Sequence, residues 1–238
     1  GGGDFFNYHR KTSANYRQLI FNSFIDTKLS QKLIFKFNYD LTSLDYTHND
    51  QLGYLGHRFK PSLSYSWNKQ WTQTFYNTWD IKDYVSRKAL SAANTSLGEN
   101  RMDVLTETGT GFRYIPDSAK VFGVTAGYKR NDVNDIFNDY NDYQGFKVSC
   151  YAFFQLPFNY SAIFFSGYDY KKYDARTFEA VLGKTQTDHF FYAGGTLNYE
   201  INKNTQLFFS YLYKQNYSND PIQGYSDSIL STGLTLSF

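Results

Sequence analysis

The sequence predicts an all-β fold, a transmembrane antiparallel up-and-down β-barrel of about 12 strands with short periplasmic turns and long extracellular loops. Three observations predict it. Apolar and polar residues alternate with period two over segments of about ten residues or more, the length a tilted strand needs to cross a bilayer. The connections between those segments alternate between short and long. Aromatic residues make up 21% of the chain, with 23 Tyr and 23 Phe, yet the mean hydropathy is negative, so the apolar residues are diluted rather than gathered into runs. No stretch approaches the roughly 18 apolar residues of a membrane helix.

The clearest strand starts at Leu33. Leu33, Phe35, Phe37, Tyr39 and Leu41 share one side, and Lys36, Asn38, Asp40 and Thr42 the other, which an extended chain turns to opposite faces. One face suits lipid and the other water. Phe59 to Trp67 follows the same period. Trp71 to Trp79 and Tyr160 to Tyr170 are mixed on both faces and are assigned by position. From Arg101, the residues Arg101, Asp103, Glu107 and Arg113 share a face with Gly109 and Gly111, opposite Met102, Val104, Phe112 and Tyr114. Val121 to Lys129, Phe146 to Gln155, Phe191 to Tyr199, Leu207 to Tyr213 and Leu230 to Phe238 complete the alternating set, and Asp4 to Tyr8 can supply one more. Single-chain bacterial barrels have even strand numbers, which turns a count of about eleven into about twelve.

Short connections fall at Ser30-Gln31-Lys32, Asn68-Lys69-Gln70, Pro116-Asp117-Ser118, Pro157-Phe158-Asn159 and Asn202-Lys203-Asn204, all rich in turn formers. Long polar connections are expected from Tyr46 to His57, Tyr84 to Asn100, Asn131 to Tyr143, Lys171 to Thr187 and Asn216 to Tyr225. Rings crowd the short turns: Trp67 and Trp71 at one, Phe154, Phe158 and Tyr160 at another, where a headgroup-level aromatic girdle belongs. A soluble sandwich would alternate too, but with strands of about five or six residues and no consistent side for its long loops.

The last strand, Ser228 to Phe238, places Leu230, Thr232, Leu234, Leu236 and Phe238 on one face. It resembles the C-terminal signal read by the bacterial barrel assembly machinery, carried by Leu234, Leu236 and Phe238. That implies the bacterial outer membrane as location, with its lipid and the assembly machinery as partners. Leu156-Pro157, Phe165-Ser166-Gly167-Tyr168-Asp169-Tyr170, Tyr211, Tyr217, Ser218-Asn219 and Tyr225 together resemble the C-terminal barrel of tetratricopeptide-repeat outer-membrane proteins, of the surface lipoprotein assembly modifier or polysaccharide exporter type. Membership implies a periplasmic helical repeat domain ahead of the barrel and an export role. The chain opens at Gly1-Gly2-Gly3 without Met or an apolar leader. Residues 1–238 are therefore read as one barrel domain, either whole or the C-terminal part of a longer chain whose export signal is removed or lies outside this sequence.

The 24 basic and 22 acidic residues are scattered, which excludes the basic face of a nucleic-acid binder. The single Cys150 forbids an internal disulfide, and with Phe146, Val148, Ala152 and Phe154 beside it on one side of a strand it reads as a small apolar residue. Asp132, Asp135, Asp139 and Asp142 lie close in sequence but lack the spacing and glycine of an EF-hand, so a solvated acidic loop is expected, with no metal and no cofactor. Tyr46-Thr47-His48-Asn49-Asp50 is similar to the His neighbourhood of outer-membrane phospholipase A, but Asp50 stands where that family has its nucleophilic Ser. Asp188-His189 resembles the acid–His pairing of omptin proteases, yet strand neighbours point to opposite faces. No enzyme is expected. The candidate functional residues are the inward charges Lys36, Asp40, Arg101, Asp103, Glu107, Arg113, Lys129 and Lys147, which either set the selectivity of a pore or pair to plug the interior. The leading expectation is a pore or the membrane part of an export complex. The rivals are a plugged structural or adhesive barrel binding periplasmic or extracellular partners and, behind it, an outer-membrane hydrolase.

Overall fold

The computed structural model describes residues 2–8, 16–46, 50–91, 93–135, 141–177 and 183–236. Their strands are β1 (Gly2–Tyr8), β2 (Tyr16–Lys28), β3 (Leu33–Tyr46), β4 (Tyr54–Ser66), β5 (Trp71–Leu90), β6 (Ser96–Asp117), β7 (Lys120–Val133), β8 (Tyr143–Gln155), β9 (Tyr160–Thr177), β10 (Thr185–Asn202), β11 (Thr205–Ser218) and β12 (Tyr225–Leu236). They form a 12-stranded sheet in strict sequence order, each strand antiparallel to the next. β1 and β12 are the margins of this sheet.

Period two works as expected. In β3, Lys36 and Asp40 lie opposite Ser62 and Arg58 of β4 on one face, while Phe35, Phe37 and Tyr39 lie opposite Leu63, Pro61 and Phe59 on the other. Following direct partners from strand to strand traces one row on the polar face: Asp26, Lys36, Ser62, Tyr76, Gly109, Gly127, Lys147 and Asp169. Pro61 has no N–H to give, and the β4–β5 ladder skips between the pairs Phe59/Trp79 and Ser62/Tyr76.

The polarity is inverted relative to a protein folded in water. The buried polar side chains among the described residues are Asp80, Arg101, Lys129, Asn131, Asp135, Gln186 and Asp188, against Ala89, Ala162 and Tyr173 as buried apolar ones. Leu63, Phe75, Trp79, Phe112, Val124, Phe146, Phe191 and Leu234 are exposed on the opposite face. Water would penalise that surface; lipid favours it.

The short turns use one device repeatedly: a side-chain oxygen accepts from the backbone N–H two residues on. Ser30 takes Lys32, Asn68 takes Gln70, Asp117 takes Ala119 and Asn202 takes Asn204, at 3.3, 2.8, 2.9 and 2.9 Å. The β8–β9 turn instead puts Phe158 and Asn159 in the left-handed region, at φ 60° and 63°. Rings at this end make a chain across five strands: Trp71–Tyr114 at 4.3 Å, Tyr114–Phe122 at 6.3 Å, Phe122–Phe154 at 5.7 Å and Phe154–Phe164 at 6.2 Å between centroids.

The long connections differ from expectation. Most of the expected loop from Tyr84 to Asn100 is strand, because β5 runs to Leu90 and β6 starts at Ser96. β9 likewise extends to Thr177 and β10 begins at Thr185. The cause is physical: once both faces meet water, alternation disappears while backbone pairing continues. β6 has 22 residues, about 70 Å at roughly 3.3 Å per residue, so it projects well beyond a hydrocarbon core of about 30 Å even when tilted.

Candidate functional site

Among the described residues the polar face lines three cavities: one of about 410 Å³ against β2, β3 and β4, sharing Asp80 and Lys82 with its neighbour, and two, stacked along the strands, that hold most of the candidate charges. The wider, about 1040 Å³, lies toward the short turns. Its wall on β4 and β5 is a hydroxyl ladder of Ser62, Ser64 and Ser66 against Thr72, Thr74 and Thr78, with Ser64 and Thr74 bonded at 2.8 Å. The ladder arises because every second residue from Ser62 to Ser66 and from Thr72 to Thr78 is Ser, Thr or Tyr. Tyr76 reaches out from this wall and donates to Glu107 at 2.8 Å. Two glycines make that reach possible, since a Cβ at Gly109 would meet the Tyr76 hydroxyl at 2.5 Å and one at Gly127 at 2.8 Å. The sequence pattern puts Gly109 on the face of the inward charges, and the ring it leaves room for is Tyr76.

The narrower cavity, about 330 Å³, lies toward the long connections and is lined by Tyr84, Tyr143 and Tyr173 among charged groups. Arg101, its side chain 4% exposed, grips Asp103 through Nε at 2.7 Å and Nη2 at 3.0 Å, with Asp135 at 3.9 Å. With its amide turned to accept, Asn141 receives Nη1 at 3.0 Å. The Tyr84 hydroxyl donates to Asp103 at 3.3 Å while the Arg101 guanidinium lies 5.4 Å from the Tyr84 ring centre. Lys129 makes a buried ion pair with Asp169, and Gln186 donates to Asp188 at 2.8 Å. Cations sit over tyrosines around this region: Lys82 over Tyr54, Arg87 over Tyr84, Lys171 over Tyr143 and Arg176 over Tyr173, at 5.1, 5.8, 5.0 and 5.1 Å.

The eight candidate charges therefore divide. Lys36 pairs with Asp26 at 2.8 Å across the hairpin. Arg101 and Asp103 hold each other. Glu107 is the direct cross-strand partner of Lys129. Asp40 lies opposite Arg58, which itself pairs with Asp80 at 2.6 Å. Arg113 and Lys147 face the wider cavity and make no ion pair among the described residues. Sequence reasoning missed Arg58, Asp80, Asp169 and the tyrosines. The signal for Arg58 was present, since it occupies an inner position beside a segment that alternates cleanly; Asp80 follows, and Asp169 lies within, a segment whose two faces are mixed.

Leu234 of the C-terminal strand is exposed on the apolar face, and Leu236 pairs with Thr205. Phe238 lies outside the described residues, as do His48 and Asp139. Asp188 and His189 part to opposite faces: Asp188 is buried on the inner one, while His189 Nδ1 shares a 2.6 Å hydrogen bond with the Tyr168 hydroxyl on the apolar one. His57 makes the matching contact with Tyr39 at 2.9 Å. Among the described residues, Asp132 pairs with Arg130 at 2.8 Å and Asp142 accepts from the Val133 backbone at 2.8 Å, and no cluster of three metal-ligating side chains forms.

No family model matches the chain, and no curated protein matches its sequence. Solved structures do. A mutant of the ferric enterobactin receptor PfeA from Pseudomonas aeruginosa matches with a TM-score of 0.55 at 13% identity, covering 98% of this chain and 40% of the receptor. The NanC porin matches with a TM-score of 0.47 at 11% identity, covering 100% of this chain and 98% of its own. OmpT, an outer membrane protein of Vibrio cholerae, gives 0.45 at 8%, covering 98% and 93%. The chain thus spans about 40% of the length of the enterobactin receptor. The fold is that of the outer-membrane β-barrel proteins: an antiparallel up-and-down sheet, polar on one face and apolar on the other.

Proposed function

We propose that this protein spans the bacterial outer membrane as a closed barrel and provides a polar passage, either as a pore or as the membrane part of an export complex. The inverted polarity carries the reading, because a sheet that buries Asp80, Arg101 and Lys129 and exposes Phe75, Trp79 and Phe112 has lipid outside and polar space within. An open sheet edge is not tolerated in lipid, so the margins β1 and β12 meet to close it. The short turns with their rings face the periplasm, the long hairpins face outward, and the C-terminal strand with Leu234 and Leu236 engages the assembly machinery. The resemblance to tetratricopeptide-repeat barrels favours export as the direction.

Planar-bilayer recordings of the refolded protein test this. Discrete conductance steps are expected, and a silent bilayer containing protein shown to be folded by its heat-modifiable gel mobility overturns it. A second reading, a plugged barrel, is favoured by one observation, the Arg101–Asp103–Asp135 cluster at the narrower cavity. Conductance seen only in Arg101→Ala would establish the plug.

A further inference from the structure

The carboxylates around the narrower cavity are already engaged. Asp80 serves Arg58, Asp103 serves Arg101 and Asp169 serves Lys129. Three further cations, Lys82, Arg87 and Lys171, make no ion pair among the described residues: Asp103 lies opposite Lys82 and Asp188 opposite Lys171, but those carboxylates bond to Arg101 and Gln186, and each of the three cations rests on a tyrosine ring. Lys82 and Arg87 line the cavity directly, and Lys171 stands at its margin on Tyr143, which lines it too. A ring face is a weak counter-charge, holding a cation in place without neutralising it. A half-buried cation in that position favours any anion that can replace its lost water.

We propose that the outward-facing cavity is a binding site for a small organic anion, a solute carrying a carboxylate or phosphate group. Lys82 and Lys171 supply point charges, and the Arg87 guanidinium offers a planar fork that matches two oxygens of one anionic group. The volume of about 330 Å³ stands at the small end of ligand pockets, which run from about 300 to 1,000 Å³, and suits a small solute, with Lys82 also lining the adjoining cavity of about 410 Å³. Beneath it the Ser/Thr ladder of the wider cavity offers hydroxyl partners to a solute that is itself hydroxylated. The site makes the passage anion-preferring. This rests on the barrel reading above and names the class of solute it takes.

Binding and conduction are measured separately. Isothermal titration of the detergent-refolded protein with inorganic phosphate and with glucuronate, at low and high salt, is expected to show saturable binding weakened by salt. Lys82→Gln with Arg87→Gln weakens it about tenfold or more, the effect of losing charge-assisted hydrogen bonds. Lys120→Gln, at a turn on the opposite end, leaves it unchanged. Arg87→Lys keeps the charge and loses the fork, so it weakens binding while preserving salt dependence and guards against misfolding of the double variant. Absent binding, or binding that survives the double variant, overturns the proposal. Reversal potentials across a KCl gradient report the pore: silent bilayers with intact phosphate binding would sink the passage and keep the site, and conduction without anion preference would do the reverse.

Discussion

Arg101 is the most demanding test of the inner-face electrostatics. Its side chain is 4% exposed, and its partners Asp103 and Asp135 are 15% and 10% exposed. Arg101→Met removes the cation and strands two carboxylates where water barely reaches them. Breaking a buried pair costs about 3–5 kcal/mol. The contact to Asp135 is long at 3.9 Å and Asp103 keeps some solvent, so the low end applies. About 3 kcal/mol lowers the folding equilibrium by roughly a hundredfold, at about 1.4 kcal/mol per factor of ten. Arg101→Met with Asp103→Leu removes both charges of the tighter contact and should recover at least half of the loss, because buried pairs often tolerate apolar replacement. Arg130–Asp132 is the internal control: it has a similar distance of 2.8 Å but is 61% and 52% exposed, so Arg130→Met should cost less than about 1 kcal/mol. Reversible urea unfolding of the protein in lipid vesicles, followed by tryptophan fluorescence, measures all three. Equal small losses for Arg101→Met and Arg130→Met would refute the reasoning, because they would place Arg101 in free water.

Cys150 lies on the apolar face, exposed there and 3.1 Å from the Ser166 hydroxyl; in vesicles it should resist a membrane-impermeant maleimide while Ser118→Cys at a short turn reacts, and equal labelling would mean that this face does not meet lipid. Phe158 holds φ 60° and is 86% exposed, a conformation costing a non-glycine residue about 1–2 kcal/mol. Phe158→Gly should therefore raise stability by about 0.5–1 kcal/mol after the entropy of the added glycine, and a loss would contradict the strain. Asp117 sits at a turn beyond the spanning part of its strand, where the Ala119 backbone N–H and then the Lys120 ammonium hold its carboxyl below the usual range. A lowered folded pKa contributes stability above the ordinary carboxylate value that is lost as pH falls through the depressed one. Asp117→Asn should flatten that acid-side slope in pH-dependent unfolding; an unchanged slope would assign it to other carboxylates.

The faces of the strands were legible in the sequence because lipid demands alternation. Lys36 and Phe37 could be told apart, and Asp188 and His189 assigned to opposite sides, from parity alone. Parity gives no height, however, and partners are decided by height. Arg101 and Asp103 stand two apart on one strand, so their contact needs no register. The Lys129–Asp169 pair does: Lys129 lies opposite Gly145, and Asp169 opposite Lys147, one strand further on. The lysine crosses β8 at the position where Gly145 carries no side chain, and a Cβ there would collide with the backbone oxygen of Tyr170. The same glycine lets Lys129 turn from its β6 partner Glu107 across β8 toward Asp169 of β9, leaving Glu107 to Tyr76, while Lys171 lies over the Tyr143 ring. The Lys129–Asp169 pair thus follows from sheet register, in which Gly145 of β8 stands between the two strands that carry it, rather than from composition.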